Sequence, residues 1–133
     1  MIYIKTRYSP KKLVFNWSVP LDYDKQITIT FDDGDLIYRN GLGFDRRIIS
    51  PSTDDWIRFW LKLDVMGIWS WKSKYVKKDA LNHYHWSLNI ASKYKEVKSS
   101  GRNLQPEHFN SLIKAFDELL KEEIQLDDIH VKK

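Results

Sequence analysis

Strict alternation of apolar and polar residues near position 86 constrains this chain more than any other feature. Tyr84, Trp86, Leu88 and Ile90 occupy every second position, which is the period of a strand with one buried face. A short polar turn follows, and a second strand ends in the sequence Lys-Ser-Ser-Gly. A polar loop then leads into an amphipathic segment, so residues 82–109 predict a β-hairpin that passes directly into a helix.

The helix that follows this hairpin has the clearest 3.6-residue period in the chain. Its predicted buried stripe consists of Phe109, Leu112, Ile113, Phe116, Leu120 and Ile124. Pro106 suits the first turn, because proline lacks an N–H that the helix would leave unbonded there. Residues 125–133 predict a frayed tail.

Another helix is predicted from about residue 51. Ser50 or Ser52 provides an N-cap, and Pro51 suits the first helical position. An apolar stripe follows at helical spacing: Trp56, Phe59, Trp60, Leu63 and Met66. Gly67 favours the end of the helix. The next four residues, 68–71, alternate, which predicts that their two tryptophans lie on one side.

Short apolar or alternating runs before this helix predict strands over residues 2–4, 13–17, 26–31 and 36–38, with Asp-Gly supplying a hairpin turn at 33–34. The order of elements lacks the regular alternation of a βαβ fold. The sequence therefore predicts an α+β fold: a mainly antiparallel sheet of about five to six strands with two helices packed on one face. A length of 133 residues predicts a single domain over residues 1–133.

Composition excludes several classes of protein. The chain has no cysteine, which excludes a disulfide framework, a thiolate nucleophile and a cysteine-ligated zinc site. No apolar run approaches the roughly 20 residues of a membrane span. The first residues lack the basic start and long apolar stretch of a signal peptide. We therefore expect a cytoplasmic protein with no membrane association.

Positive charge is concentrated before the second helix. The net charge is +4, and the segment from Glu107 onward has seven acidic residues and four lysines. Its charge of −3 leaves +7 on residues 1–106. The cations cluster at Lys72, Lys74, Lys77 and Lys78, and at Lys93, Lys95, Lys98 and Arg102. A solvated loop and the wet face of a hairpin explain such clusters, and a surface for an acidic partner is the alternative.

One set of motifs is spaced as in a known group of proteins. The matching residues are Ser50-Pro51, Trp56, Gly67-Ile68-Trp69-Ser70-Trp71, Trp86, Ser99, Gly101, Asn103, Pro106 and Phe109. In this pattern, which covers about half of its length, the chain resembles a group of uncharacterised bacterial proteins. The resemblance implies no activity. The chain departs from the group at residues 82–85, where Asp-Gly is common, and at Leu104-Gln105. Residues 1–49 match no such pattern.

Histidine and serine in the hairpin are the candidates for chemistry. His83 and His85 are two residues apart, so they project from the same strand face, but a metal site needs a third ligand. His108 or His130 would have to come from elsewhere. Ser99 and Ser100 lie near these histidines in the predicted hairpin without the G-x-S-x-G turn of a nucleophile elbow. We expect no catalytic residue, metal or cofactor here.

The loop between hairpin and helix invites two interpretations. Gly101 suits a backbone conformation closed to other residues, Asn103 suits an Asx-type bond to nearby backbone, and Pro106 starts the helix. The functional alternative is an anion site at the helix N-terminus, helped by Arg102. The structural interpretation is favoured, because anion-binding loops usually contain more glycine.

The most plausible binding surface combines aromatic area with positive charge. Its predicted residues are Trp69, Trp71, Lys72, Lys74, Lys95, Lys98 and Arg102. Such a surface suits a protein hot spot, and it also suits stacking on single-stranded nucleic acid. We expect a non-enzymatic intracellular domain that binds another protein as an inhibitor or adaptor. The alternatives are a cationic, aromatic nucleic-acid-binding protein and an enzyme whose site is assembled from scattered His, Asp and Glu residues.

Overall fold

A seven-stranded sheet and two helices make up the fold. The computed structural model describes residues 8–20, 22–41, 46–78, 84–121 and 124. The elements are β1 (Lys12–Val19), β2 (Asp22–Asp32), β3 (Asp35–Asn40), β4 (Arg46–Ile49), α1 (Thr53–Met66), a short 3-10 helix (Ile68–Ser70), β5 (Lys74–Val76), β6 (His85–Ala91), β7 (Glu96–Arg102) and α2 (Phe109–Leu120). The predicted α+β fold is confirmed, with slightly more strands than expected.

Strand β1 joins the two halves of the sheet. The strand order is β4-β3-β2-β1-β6-β7-β5, and every pairing is antiparallel except the parallel pairing of β5 with β7. In the centre, Phe15 lies opposite Ile29 on one side and Leu88 on the other. The predicted hairpin therefore pairs, through β6, with a strand some 70 residues earlier in the chain.

Both helices cover the same face of the sheet. The Phe15 ring of β1 lies 6.2 Å from the ring of Phe109 and 5.3 Å from that of Phe116, both from α2. Phe59 of α1 lies 5.6 Å from Phe116, so the two helices meet above the sheet centre. Large apolar side chains fill this layer because the strands alternate buried and less buried residues. The opposite face carries polar side chains and is called the open sheet face below.

Helix α1 begins and ends where capping chemistry predicts. Ser52 is the N-cap and forms a capping box with Asp55. Gly67 ends the helix with a φ of +70°. Pro51 precedes the N-cap, so its prediction as the first helical residue is wrong. Ser50 is not the cap and instead donates a hydrogen bond to Asp35.

Helix α2 is shorter than its apolar stripe. It starts at Phe109 rather than at Pro106, whose carbonyl accepts a turn bond from the Phe109 N–H. The helix ends after Leu120, where Lys121 adopts a φ of +58°. Ile124 therefore lies outside the helix, yet it is buried, and its N–H donates to Asp117 Oδ1 at 2.8 Å.

Two strands and one turn differ from the sequence-based expectations. Strands β4 and β5 were not predicted, because β4 does not alternate and β5 has three residues among lysines. Residues 68–71 do not continue as an alternating strand but form the 3-10 helix. The predicted strand at 2–4 and the predicted tail at 125–133 lie outside the described residues.

We predict that Phe116 is essential to this core. It is fully buried and contacts rings from both β1 and α1. Phe116→Ala should lower the free energy of unfolding by about 3–5 kcal/mol, measured by urea denaturation, because it removes this ring and leaves a cavity. Asn110→Ala, an exposed change on the same helix, is the control. Equal unfolding midpoints for the two variants would show that the helix packs differently.

Candidate functional site

An aromatic groove lies where the end of α1 meets the β6–β7 turn. Its volume is about 680 Å³. We define the aromatic groove by the residues that shape it: Tyr8, Trp60, Asp64, Trp69, Tyr94 and Lys95. Four of its lining residues are aromatic: Tyr8, Trp60, Trp69 and Tyr94.

Two stacked indoles connect the groove to the core. The Trp60 and Trp69 rings lie 6.2 Å apart at 26°, and Trp60 also stacks on buried Trp56 at 6.3 Å. Trp60 Nε1 donates to the Tyr8 carbonyl at 2.5 Å. The indole is therefore held by packing on one side and by a hydrogen bond on the other, which fixes the groove wall before any ligand arrives.

Asp64 holds the two sides of the groove together. Its Oδ1 accepts from Trp69 Nε1 at 2.6 Å and from Lys95 Nζ at 3.3 Å. The Lys95 ammonium also lies 5.7 Å from the centre of the Trp69 ring, within cation–π range. The hydrogen bond from Trp69, followed by that from Lys95 and its charge, lowers the pKa of Asp64 despite partial desolvation. The carboxylate is thus ionised at neutral pH and ties α1 to the hairpin.

The hairpin turn projects an aromatic side chain into solvent. Ser92 Oγ accepts from the backbone N–H groups of Tyr94 at 3.3 Å and Lys95 at 3.0 Å. Ser92 N–H in turn donates to the Lys95 carbonyl at 2.7 Å. These bonds fix the turn, and the Tyr94 side chain is left 83% exposed at the groove rim. Beside it, Lys93 lies 5.6 Å from the Tyr94 ring centre.

The predicted surface is divided between three places. Trp69 and Lys95 lie in the aromatic groove. Trp71 instead lies in the core layer, where its ring is 6.3 Å from Trp86 and 6.5 Å from Phe109. The expectation that Trp69 and Trp71 share a side is wrong, because the 3-10 helix turns them apart.

The predicted cations other than Lys95 lie on the open sheet face or beside it. Lys74 pairs in register with Ser100, and Lys98 pairs with Asn89 on the same face. Arg102 lies opposite His85 there. Lys72 precedes β5 and is exposed, with its N–H donating to the Tyr75 hydroxyl. Among the strand residues whose side chains are described, this face presents no aromatic ring.

Sequence reasoning missed four residues of the groove. Tyr8, Asp64 and Tyr94 were not singled out, and Trp60 was assigned to the core. A usable signal was Tyr94, an aromatic residue in a hairpin turn where polar residues are usual. The role of Asp64 had no local signal, since its partner Lys95 is 31 residues away.

The motif residues Ser99 and Asn103 are structural. Ser99 Oγ donates to the Lys72 carbonyl at 2.6 Å. Asn103 Oδ1 accepts from the Tyr84 N–H at 3.0 Å, and its Nδ2 donates to the Lys77 carbonyl at 3.4 Å. These bonds fasten the segment around β5 to the hairpin. The Asx-type bond to nearby backbone is replaced by bonds to distant backbone, and Asn103 itself adopts a φ of +61°.

Gly101 is required by a close contact rather than by its backbone conformation. It is not among the residues with positive φ, so the sequence-based reason for this glycine is wrong. A Cβ at Gly101 would lie 2.1 Å from Trp86 Nε1 and 2.4 Å from the Leu104 carbonyl oxygen. Trp86 Nε1 donates to that carbonyl at 2.8 Å. Gly101 therefore makes room for the indole that crosses it.

The histidine pair does not form a metal site in the described residues. His83 lies outside them, and His85 is an exposed residue on the open sheet face. No group of three His, Cys, Asp or Glu side chains is placed to hold a metal within the described ranges. The expectation that the protein needs no metal stays a prediction. Of the two candidate serines, Ser99 is buried, and its hydroxyl donates a hydrogen bond to the Lys72 carbonyl.

Comparison with known proteins gives no family. No family model, curated protein or solved structure matches this chain. In the described part of the chain, no helix is long and apolar enough to cross a membrane. The argument for function therefore rests on the geometry of the groove.

We predict that Gly101→Ala destabilises the protein. The added methyl group collides with the Trp86 indole and the Leu104 carbonyl, so either the indole or the strand must move. The free energy of unfolding should fall by about 1–3 kcal/mol, measured by urea denaturation. Ser100→Ala, one residue away and half-buried, is the control. A Gly101→Ala protein as stable as the Ser100→Ala protein would contradict this close packing.

The pKa of Asp64 should report the bonds that close the groove. Carboxyl NMR titration should give a midpoint below the ordinary value in the wild type. Trp69→Phe and Lys95→Met should each raise the midpoint, because the hydrogen bond from Trp69 is the largest single cause and Lys95 contributes both a hydrogen bond and its charge. Because the folded pKa is lowered, the contribution to stability is present above pH 4 and is lost as the pH falls through the folded pKa. With the Asp64 side chain 46% exposed, that contribution should stay below about 1 kcal/mol. An unshifted wild-type midpoint would contradict the interaction.

Proposed function

We propose that this protein is a non-enzymatic binding domain that holds a segment of a protein partner in the aromatic groove. The observation that carries this proposal is the groove itself: stacked indoles, exposed tyrosines and rim lysines around about 680 Å³. Tryptophan and tyrosine are the side chains that most often dominate protein–protein binding energy. An inhibitor or an adaptor would act through such a surface by occupying or tethering its partner.

The groove is prepared for binding without a conformational change. Trp60 stacks on the core, Asp64 joins α1 to the hairpin, and Ser92 fixes the turn. Binding to a fixed wall saves the cost of ordering side chains. Tyr8 and Tyr94, which are 59% and 83% exposed, leave surface for a partner to cover.

The distribution of charge favours a protein partner over nucleic acid. Single-strand binding combines aromatic stacking with cations that follow the phosphate backbone. Here the rings lie in the groove on the helix side, where Asp64 already pairs with Lys95. Lys93 and Lys95 line the groove, whereas Lys74, Lys98 and Arg102 lie on the open sheet face, where the strand residues with described side chains present no ring.

Affinity capture from the native cell tests this proposal. Tagged wild-type protein should retain a stoichiometric protein at moderate salt. Tyr94→Ala should weaken capture at least tenfold, because it removes exposed ring area at the groove rim. The fold should remain intact, since exposed changes usually cost under about 0.5 kcal/mol.

Charge reversal of Lys72 and Lys74 together is the matched control. Both residues lie away from the groove, so the Lys72→Glu/Lys74→Glu protein should capture its partner as well as the wild type does. If only this double variant lost capture, the binding surface would be assigned to Lys72 and Lys74 rather than to the groove. Recovery of nucleic acid whose binding falls steeply with added salt would favour the alternative function.

A further inference from the structure

We infer that the segment bound in the aromatic groove is an extended, proline-containing peptide with an acidic residue beside the proline. This inference rests on the proposed function and adds the chemistry of the partner. It follows from three properties of the groove: the shape of its wall, the hydrogen bonds already used within it, and the charge at its rim.

The wall of the groove suits a polyproline II segment. Proline-rich segments dock between aromatic rings, because their preformed helix loses little entropy on binding. Trp60 and Trp69 form a stacked pair in the wall, and the exposed rings of Tyr8 and Tyr94 contribute further aromatic surface. Pyrrolidine rings pack on exposed aromatic faces of this kind.

A backbone carbonyl of this chain already lies against this wall, from Tyr8, whose φ of +68° is left-handed rather than extended. The Tyr8 carbonyl accepts the Trp60 indole N–H, and Pro10, two residues later, is buried. The groove therefore combines indole surface with a peptide carbonyl and a nearby proline from its own chain.

Two other modes of peptide binding fit the groove poorly. Strand addition needs unpaired backbone groups, but the turn of the hairpin uses its N–H groups on Ser92 and on the Lys95 carbonyl. An amphipathic helix needs a continuous apolar channel for residues at i, i+3, i+4 and i+7. The ion pair between Asp64 and Lys95 interrupts this groove with charge.

The rim charge selects an acidic neighbour for the proline. Lys93 lines the groove beside Tyr94, and no carboxylate in the described part of the chain lies within ion-pair distance of it. Lys95 is shared with Asp64. An Asp or Glu in the bound segment would complement the positive rim, since unpaired rim charge favours the oppositely charged ligand.

Selection from a random peptide library against the full chain tests the inference. Peptides that contain proline with a neighbouring Asp or Glu should be enriched, and fluorescence anisotropy should measure the affinity of the best one. Replacing its proline with alanine should weaken binding at least tenfold. Replacing the acidic residue with lysine should weaken binding about fivefold, and Lys93→Glu protein should prefer that lysine peptide. Lys74→Glu protein, altered on the open sheet face, should bind as the wild type does.

The outcomes separate this inference from the proposed function. Enrichment of peptides without proline, or of none, would overturn the inference, and so would an affinity unchanged by Lys93→Glu. If native capture still depended on Tyr94, the proposed function would stand. Capture independent of Tyr94 would overturn both. A wild-type dimer that Tyr94→Ala dissociates would assign the groove to a second copy of this chain and overturn the inference.

Discussion

The pairing of β1 with β6 is the constraint on which the rest of the structure depends. It places Trp17 opposite Trp86 and Phe15 opposite Leu88, which brings the N-terminal strands and the hairpin into one sheet. Without this contact, neither half presents enough apolar face to cover α1 and α2. The long separation in sequence makes it costly in loop-closure entropy, and the burial of large rings offsets that cost.

A continuous series of aromatic contacts then connects the core to the surface. Phe116 contacts Phe59, Phe59 contacts Trp60 at 5.6 Å, and Trp60 stacks on Trp69. The last ring is exposed enough to form a groove wall, and Asp64 fixes its edge. The same aromatic residues therefore stabilise the fold and shape the candidate site, so the site inherits the rigidity of the core.

The two ends of the β6–β7 hairpin have different roles. Near Gly101, the Trp86 indole packs across the glycine and donates a hydrogen bond to the Leu104 carbonyl. Asn103 donates a hydrogen bond to the Lys77 carbonyl, which holds β5 in place as the parallel edge strand. At the other end, Ser92 shapes the turn that presents Tyr94. Gly101 and Asn103 lie at the first end, and their roles are explained by close packing and by hydrogen bonds to distant backbone.

The sequence by itself determined the α+β class, the hairpin, both helices and the end of α1 at Gly67, and it narrowed the cap of α1 to Ser50 or Ser52. These features depend on period, capping and turn chemistry, which act over a few residues. Edge strands β4 and β5 were missed, because their pairing is decided by partners far along the chain and not by their own short sequences.

Only the tertiary structure decided the site. Local alternation put Trp69 and Trp71 together, whereas a 3-10 turn sends one to the groove and the other into the core. Charge alone grouped Lys95 with Lys74, whereas the two faces of the sheet separate them. Asp64 gained its role from a lysine 31 residues away. Periodicity describes which side of one element a residue occupies, but a site is made where several elements meet, and that meeting is set by long-range packing.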